Sequence, residues 1–184
     1  MSSSLVVAVV GVCGTLASAI FTQLLSQRTK LQELKHVERL RREEQEAAEK
    51  QRKTDQLRSC YVHLNANDRN YRDAMLAYAY VLKAGSPSEA EVAEVAVARR
   101  AQRDARAEMQ MIASDGVLDA EYPVNIQLTR AYSRLKRIET ESHVSVREPL
   151  LEEIIKLLDA IIPLLARVRV IMRKELGITN ESPG

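Results

Sequence analysis

Tryptophan is absent from this chain, phenylalanine occurs once, and only six glycines and five prolines punctuate 184 residues. Small β folds depend on aromatic strands and on Gly/Pro turns, so this scarcity argues against them and leaves helix as the main element. Cysteine is nearly missing too. Cys13 and Cys60 lie in different environments and cannot supply a disulfide framework, a CxxC motif or a zinc set. Two unpaired thiols fit a reducing compartment for the main domain. His36, His63 and His143 fall in separate segments, and there is neither an HExxH motif nor a pair of ExxH motifs to build a di-iron bundle site. No Gly-rich phosphate loop occurs. The expectation is a non-enzymatic protein with no catalytic residues, no cofactor and no metal. Nor does one sign of charge prevail: 27 basic against 25 acidic residues give a net charge of +2, so the whole chain has no electrostatic bias toward nucleic acid.

What is present begins with an uncharged run, "LVVAVVGVCGTLASAIFTQLL", from Leu5 to Leu25. A hydrocarbon core of ~30 Å needs roughly 20 apolar residues at 1.5 Å each, and this run meets that length. A secretion signal normally opens with basic residues, whereas Met1 to Ser4 carry none, although Ala17-Ser18-Ala19 mimics a cleavage site. A buried core helix would show a polar face, and this segment has none. The expectation is a single-pass anchor in the inner (cytoplasmic) membrane, in contact with membrane lipid. Arg28, Lys30, Lys35, Arg39, Arg41 and Arg42 follow the run and nothing basic precedes it. The N-terminus is therefore expected outside and the rest cytoplasmic. Ala8, Gly11, Thr15, Ser18 and Thr22 recur at steps of three and four, a small face on which membrane helices can pack.

From Arg28 to Gln56, sixteen of twenty-nine residues are charged. Glu38–Arg42, Glu46–Lys50 and Glu49–Lys53 have the acid-first i,i+4 order, each pair adding ~0.2–0.5 kcal/mol to a helix. The apolar stripe is thin (Leu31, Leu34, Val37, Leu40), so the segment reads as a solvated helical stalk of roughly 40 Å, with a weak coiled coil as the alternative.

Beyond Leu57 the apolar period becomes that of packed helices. Leu57, Tyr61, Leu64, Tyr71, Met75, Tyr78 and Leu82 form one face, interrupted at Asp68 and ended by Gly85. "SPSE" then offers Ser86 as a cap, with Glu89 completing a capping box. The next face carries Val92, Val95, Ala98, Ala105, Met109 and Ile112; "SDG" at Ser114 to Gly116 breaks it. A third carries Val117, Val124, Leu128, Ala131, Leu135 and Ile138, with Pro123 expected to kink or delay its start. The last helix should run to about Leu176, kinked at Pro163; it is apolar over a wide arc and should either be the most buried helix or also face a partner. Short connections predict an antiparallel up-down four-helix bundle. The all-α chain thus divides into an anchor (1–27), a stalk (28–56), a bundle (57–177) and a disordered tail (178–184).

Three features invite a functional reading. Asp68 interrupts an apolar face and would need a buried polar contact. Arg99, Arg103 and Arg106 share a face of one helix, and Arg130, Arg134 and Arg137 share a face of the next. Neighbouring rows would form one patch for an anionic partner. No aromatic residues alternate with these arginines, which disfavours nucleic acid. Cys60 and His63, at i,i+3, have the spacing of a nucleophile and base but more often mark a core edge.

The uncharged run ending "TQLL", with "CYVHLNANDRNYRDAM", "EMQMIASDGVLDAEYPVN" and "AYSRLKRIE", resembles small single-pass proteins of uncharacterised actinobacterial families. That resemblance implies an inner-membrane anchor and a cytosolic helical domain, and brings no activity. The functional expectation is a membrane-tethered scaffold or adaptor whose bundle binds a protein partner or forms a homo-oligomer. The alternative is a tethered binder of nucleic acid or anionic lipid through the two Arg rows.

Overall fold

The computed structural model describes the backbone over residues 3–85, 88–140 and 144–178, and side chains over 34–85, 88–139 and 146–178. The described chain is entirely helical: α1 (Ser3–Ala84), α2 (Glu89–Ile112), α3 (Asp115–Thr140), α4 (Val144–Asp159) and α5 (Ile161–Glu175). The side chains of the expected anchor, including the small face at Ala8, Gly11, Thr15, Ser18 and Thr22, lie outside the described residues. Among the described residues no helix is long and apolar enough to cross a membrane.

The chain forms two compact units, Met1–Arg52 and Lys53–Gly184. In the first, Leu34, Val37 and Leu40 are exposed on α1, and Arg39 Nε meets Glu43 Oε1 at 2.8 Å. The second begins four residues ahead of position 57, because Lys53, Thr54 and Gln56 already share a hollow with Leu57 and Ile112.

The second unit is built around one core. The expected α3 face is buried throughout, from Val117 to Ile138. It meets Tyr61, Leu64, Met75 and Tyr78 of α1, Val95 and Met109 of α2, and Ile154, Leu158, Ile161 and Leu165 of α4 and α5 in a single cluster. Close packing of such side chains is the main stabilising term of the unit. Directions follow from the polar contacts. Along α1 and α2 the partners run oppositely, His63 with Glu108 and Asp68 with Gln102. The same opposition relates α2 to α3 (Arg99 with Tyr132, Arg106 with Glu121) and α1 to α4–α5 (Tyr61 with Glu175, Arg72 with Asp159). α1 and α3 run the same way, Tyr71 facing Tyr132 and Tyr78 bonding Glu139.

Three local details depart from the sequence reading. The α2 cap is Ser88, not Ser86: its hydroxyl accepts from Ala90 N–H at 3.3 Å, and its own N–H donates to Glu91 at 2.8 Å. "SPSEAE" offers two capping registers, and the later one is used. Pro123 neither delays nor interrupts α3, which starts at Asp115. The last helix is broken at Ala160, three residues before Pro163, and so counts as α4 and α5. Pro163 has no N–H for the Asp159 carbonyl and its ring crowds that carbonyl, so the distortion falls one turn upstream. Ala160 stays right-handed (φ −65°, ψ −15°), and the backbone bends without opening into a loop. Arg72 of α1 closes the joint, its Nε donating to the Leu158 carbonyl at 3.0 Å and its Nη2 to Asp159 at 3.3 Å.

At its far end α5 closes in a Schellman motif. Ile178 N–H bonds the Arg173 carbonyl at 2.8 Å and Gly177 N–H bonds that of Lys174 at 3.1 Å, with Gly177 left-handed at φ 70°. Ile178, assigned to the tail by the sequence, therefore belongs to the cap; residues 179–184 lie outside the described residues.

Candidate functional site

Each of the first three helices places one polar residue where the core register calls for an apolar one. On α1 it is Asp68, between Leu64 and Tyr71; on α2 it is Gln102, seven residues from both Val95 and Met109; on α3 it is Glu121, between Val117 and Val124. All three are buried, Asp68 and Glu121 being each 1% exposed. They converge. Gln102 Nε2 donates to Asp68 Oδ1 at 3.1 Å, and Arg106 Nε meets Glu121 Oε1 and Oε2 at 3.0 and 3.1 Å. Buried polar groups persist when their partners lie within the same layer. Two carboxyls in one dry layer are not both easily ionised. Burial pushes Asp68 up to about 7; the Gln102 hydrogen bond opposes this, the Glu121 charge adds to it and Arg106 opposes it. Glu121 is also raised by burial, against the pull of Arg106.

Above this layer lies a groove of about 350 Å³ between α2 and α3. Arg99, Arg103 and Arg106 line it from α2, with Gln102 among them; Asn125 and Thr129 line it from α3, and Tyr71 from α1. The Arg99 guanidinium carbon sits 4.1 Å above the centre of the Tyr132 ring, a cation–π contact that fixes its plane. Tyr71 lies 6.4 Å from Tyr132, ring centre to ring centre, and burial raises its phenol pKa, with Arg99 opposing. Arg106 is committed to Glu121, whereas Arg99 and Arg103 form no salt bridge among the described residues. An adjoining hollow of about 480 Å³ is shared by Arg99, Arg100, Arg103 and Asp104.

The two arginine rows do not line one groove. Arg134 pairs with Glu153 of α4 at 2.7 Å, which turns its side of α3 toward α4. Arg130 and Arg137 are exposed and line neither hollow. Cys60 is buried, and burial together with the Glu108 charge raises its pKa, so it is held as a thiol. His63 is exposed and lies 3.7 Å from Glu108. This is a core-edge cysteine beside a surface histidine, not an activated nucleophile. Among the described residues no group of three or more His, Cys, Asp or Glu is placed to hold a metal.

Sequence reasoning found Asp68 and the α2 arginines but passed over Gln102 and Glu121. Their signal was the register itself: Val95 to Met109 and Val117 to Val124 each skip a core position, and the residue standing there is polar. The chain matches no protein-family model, no curated protein and no solved structure at a significant level.

Proposed function

We propose that this chain is a non-enzymatic adaptor, tethered to a membrane through residues 5–25, whose cytosolic helices form an antiparallel up-down four-helix bundle that docks a helix of a protein partner or of a second copy. The alternating directions of the polar contacts along α1, α2, α3 and α4–α5 support the bundle topology. The outer face of α5 carries the docking role. This helix buries Ile161, Leu165, Val168 and Met172 in the core. On a second face, at steps of four, it presents Ile162 (52% exposed), the half-buried Ala166 and Val170 (62% exposed). Arg167, Arg169 and Arg173 rim that stripe. A helix apolar on two sides has one side for its own core and one for a partner helix, with the basic rim selecting an acidic complement.

The test is chemical cross-linking of the full chain in native membranes. I162E/V170E should abolish the cross-linked species while leaving helicity and expression unchanged. If the same species form in the same yield, the docking face is not α5 and the reading falls. A reading that uses both arginine rows for nucleic acid or anionic lipid has less support, since Glu153 occupies Arg134 and the rows face different neighbours.

A further inference from the structure

We infer that the α2–α3 groove is a binding site for a phosphate group bearing two negative charges, carried on a soluble phosphate compound or on a lipid headgroup. The site is independent of the α5 face and stands or falls without it. Its charge balance comes from geometry. Arg99, Arg103 and Arg106 lie on one face of α2, at steps of four and three, and line the same cavity. Glu121 neutralises Arg106 through Nε, so Arg99 and Arg103 are left uncompensated within the groove. Asp104, the acid next along α2, lines the adjoining hollow with Arg99, Arg100 and Arg103 but not the groove itself, and among the described residues it forms no salt bridge with them. Of the two buried carboxyls beneath, Glu121 is already spent on Arg106, while Asp68 pairs with the neutral Gln102 amide rather than with an arginine and is kept partly protonated by its burial.

Planar guanidinium forks match phosphate oxygens in a bidentate geometry, and two uncompensated forks match the charge of a dianion. Arg99 is already oriented by its stack on Tyr132, so little side-chain entropy remains to be lost there on binding. Asn125 and Thr129 face the arginines across the groove and offer neutral donors to remaining phosphate oxygens. A volume of about 350 Å³ lies at the small end of ligand sites and accommodates a phosphate monoester with part of the group that carries it.

The experiment is isothermal titration of the detergent-solubilised full chain at low salt, with inorganic phosphate in one arm and monomeric dihexanoyl phosphatidic acid in the other. Wild type should bind at least one probe. R99Q/R103Q should weaken that binding roughly tenfold or more, as expected for lost charge-assisted hydrogen bonds. R130Q, outside the groove, should bind as wild type does. R103Q alone guards against misfolding, because Arg103 is exposed and its loss strands no buried group; it too should weaken binding. Tighter inorganic phosphate binding assigns a soluble ligand, and tighter phosphatidic acid binding assigns a headgroup. Wild type binding neither probe, or R103Q and R99Q/R103Q both binding as tightly as wild type, overturns the site.

Discussion

Asp68 is an acid held against its own ionisation. Its pKa, about 7 in the fold against an ordinary 3.8, means that the folded state binds a proton over a range in which the unfolded chain has released it. The sign follows: stability is fullest below pH ~4, declines as pH rises through the window up to about 7, and is flat above it as far as this group is concerned. Asp68→Asn keeps the shape and removes the titration. The variant should lose the decline between pH 4 and 7 and be more stable at pH 8 by on the order of 1–3 kcal/mol, read by urea unfolding at several pH values. An unchanged pH profile would place the proton elsewhere. This residue was legible because a lone acid on an apolar face must be explained. Gln102 and Glu121 were not, since amides and glutamates are common on helices and only the missing heptad steps mark them. Burial of a polar side chain is decided by the neighbouring helix, and a single-helix pattern carries no information about that neighbour.

At the level of elements, apolar periodicity located α2, α3, the packed part of α1 and, as one helix, the α4–α5 stretch, because a helix that must bury one face cannot disguise its period. Ends were less legible. Two serines in "SPSEAE" each have a glutamate three residues on, and the choice between two adequate caps is a small energy difference. The effect of Pro163 was expected at the proline itself, but the group it disturbs is a carbonyl four residues earlier, so the break lies at Ala160. Gly177 is the clearest single determinant of an end. Its left-handed φ of 70° costs a β-carbon about 1 kcal/mol, and a substitution there meets no steric neighbour that would confuse the result. Gly177→Ala should therefore destabilise the chain by ~1 kcal/mol in urea with no change in helix content at low denaturant. A neutral result would mean that the Schellman closure adds nothing to the stability of α5.

At the level of the whole molecule, the arginine rows show where one-dimensional reading ends. Each row was correct as a helix face, yet α2 turns its row into a groove while α3 gives Arg134 to Glu153. Which faces meet is a property of packing, absent from spacing. The anchor is proposed from sequence alone, and its test belongs to the intact chain: alkaline carbonate washing should leave full-length protein in the membrane pellet and release residues 28–184. Release of the full-length protein would remove the tether from the proposal. Arg99 stacked over Tyr132, with Tyr71 close by, has one more consequence in a chain whose ultraviolet signal comes from six tyrosines and no tryptophan. Any occupant that binds the stacked guanidinium alters the electronic surroundings of one chromophore among few. Near-ultraviolet circular dichroism of the unlabelled protein is then an optical gauge of whether that cleft is filled.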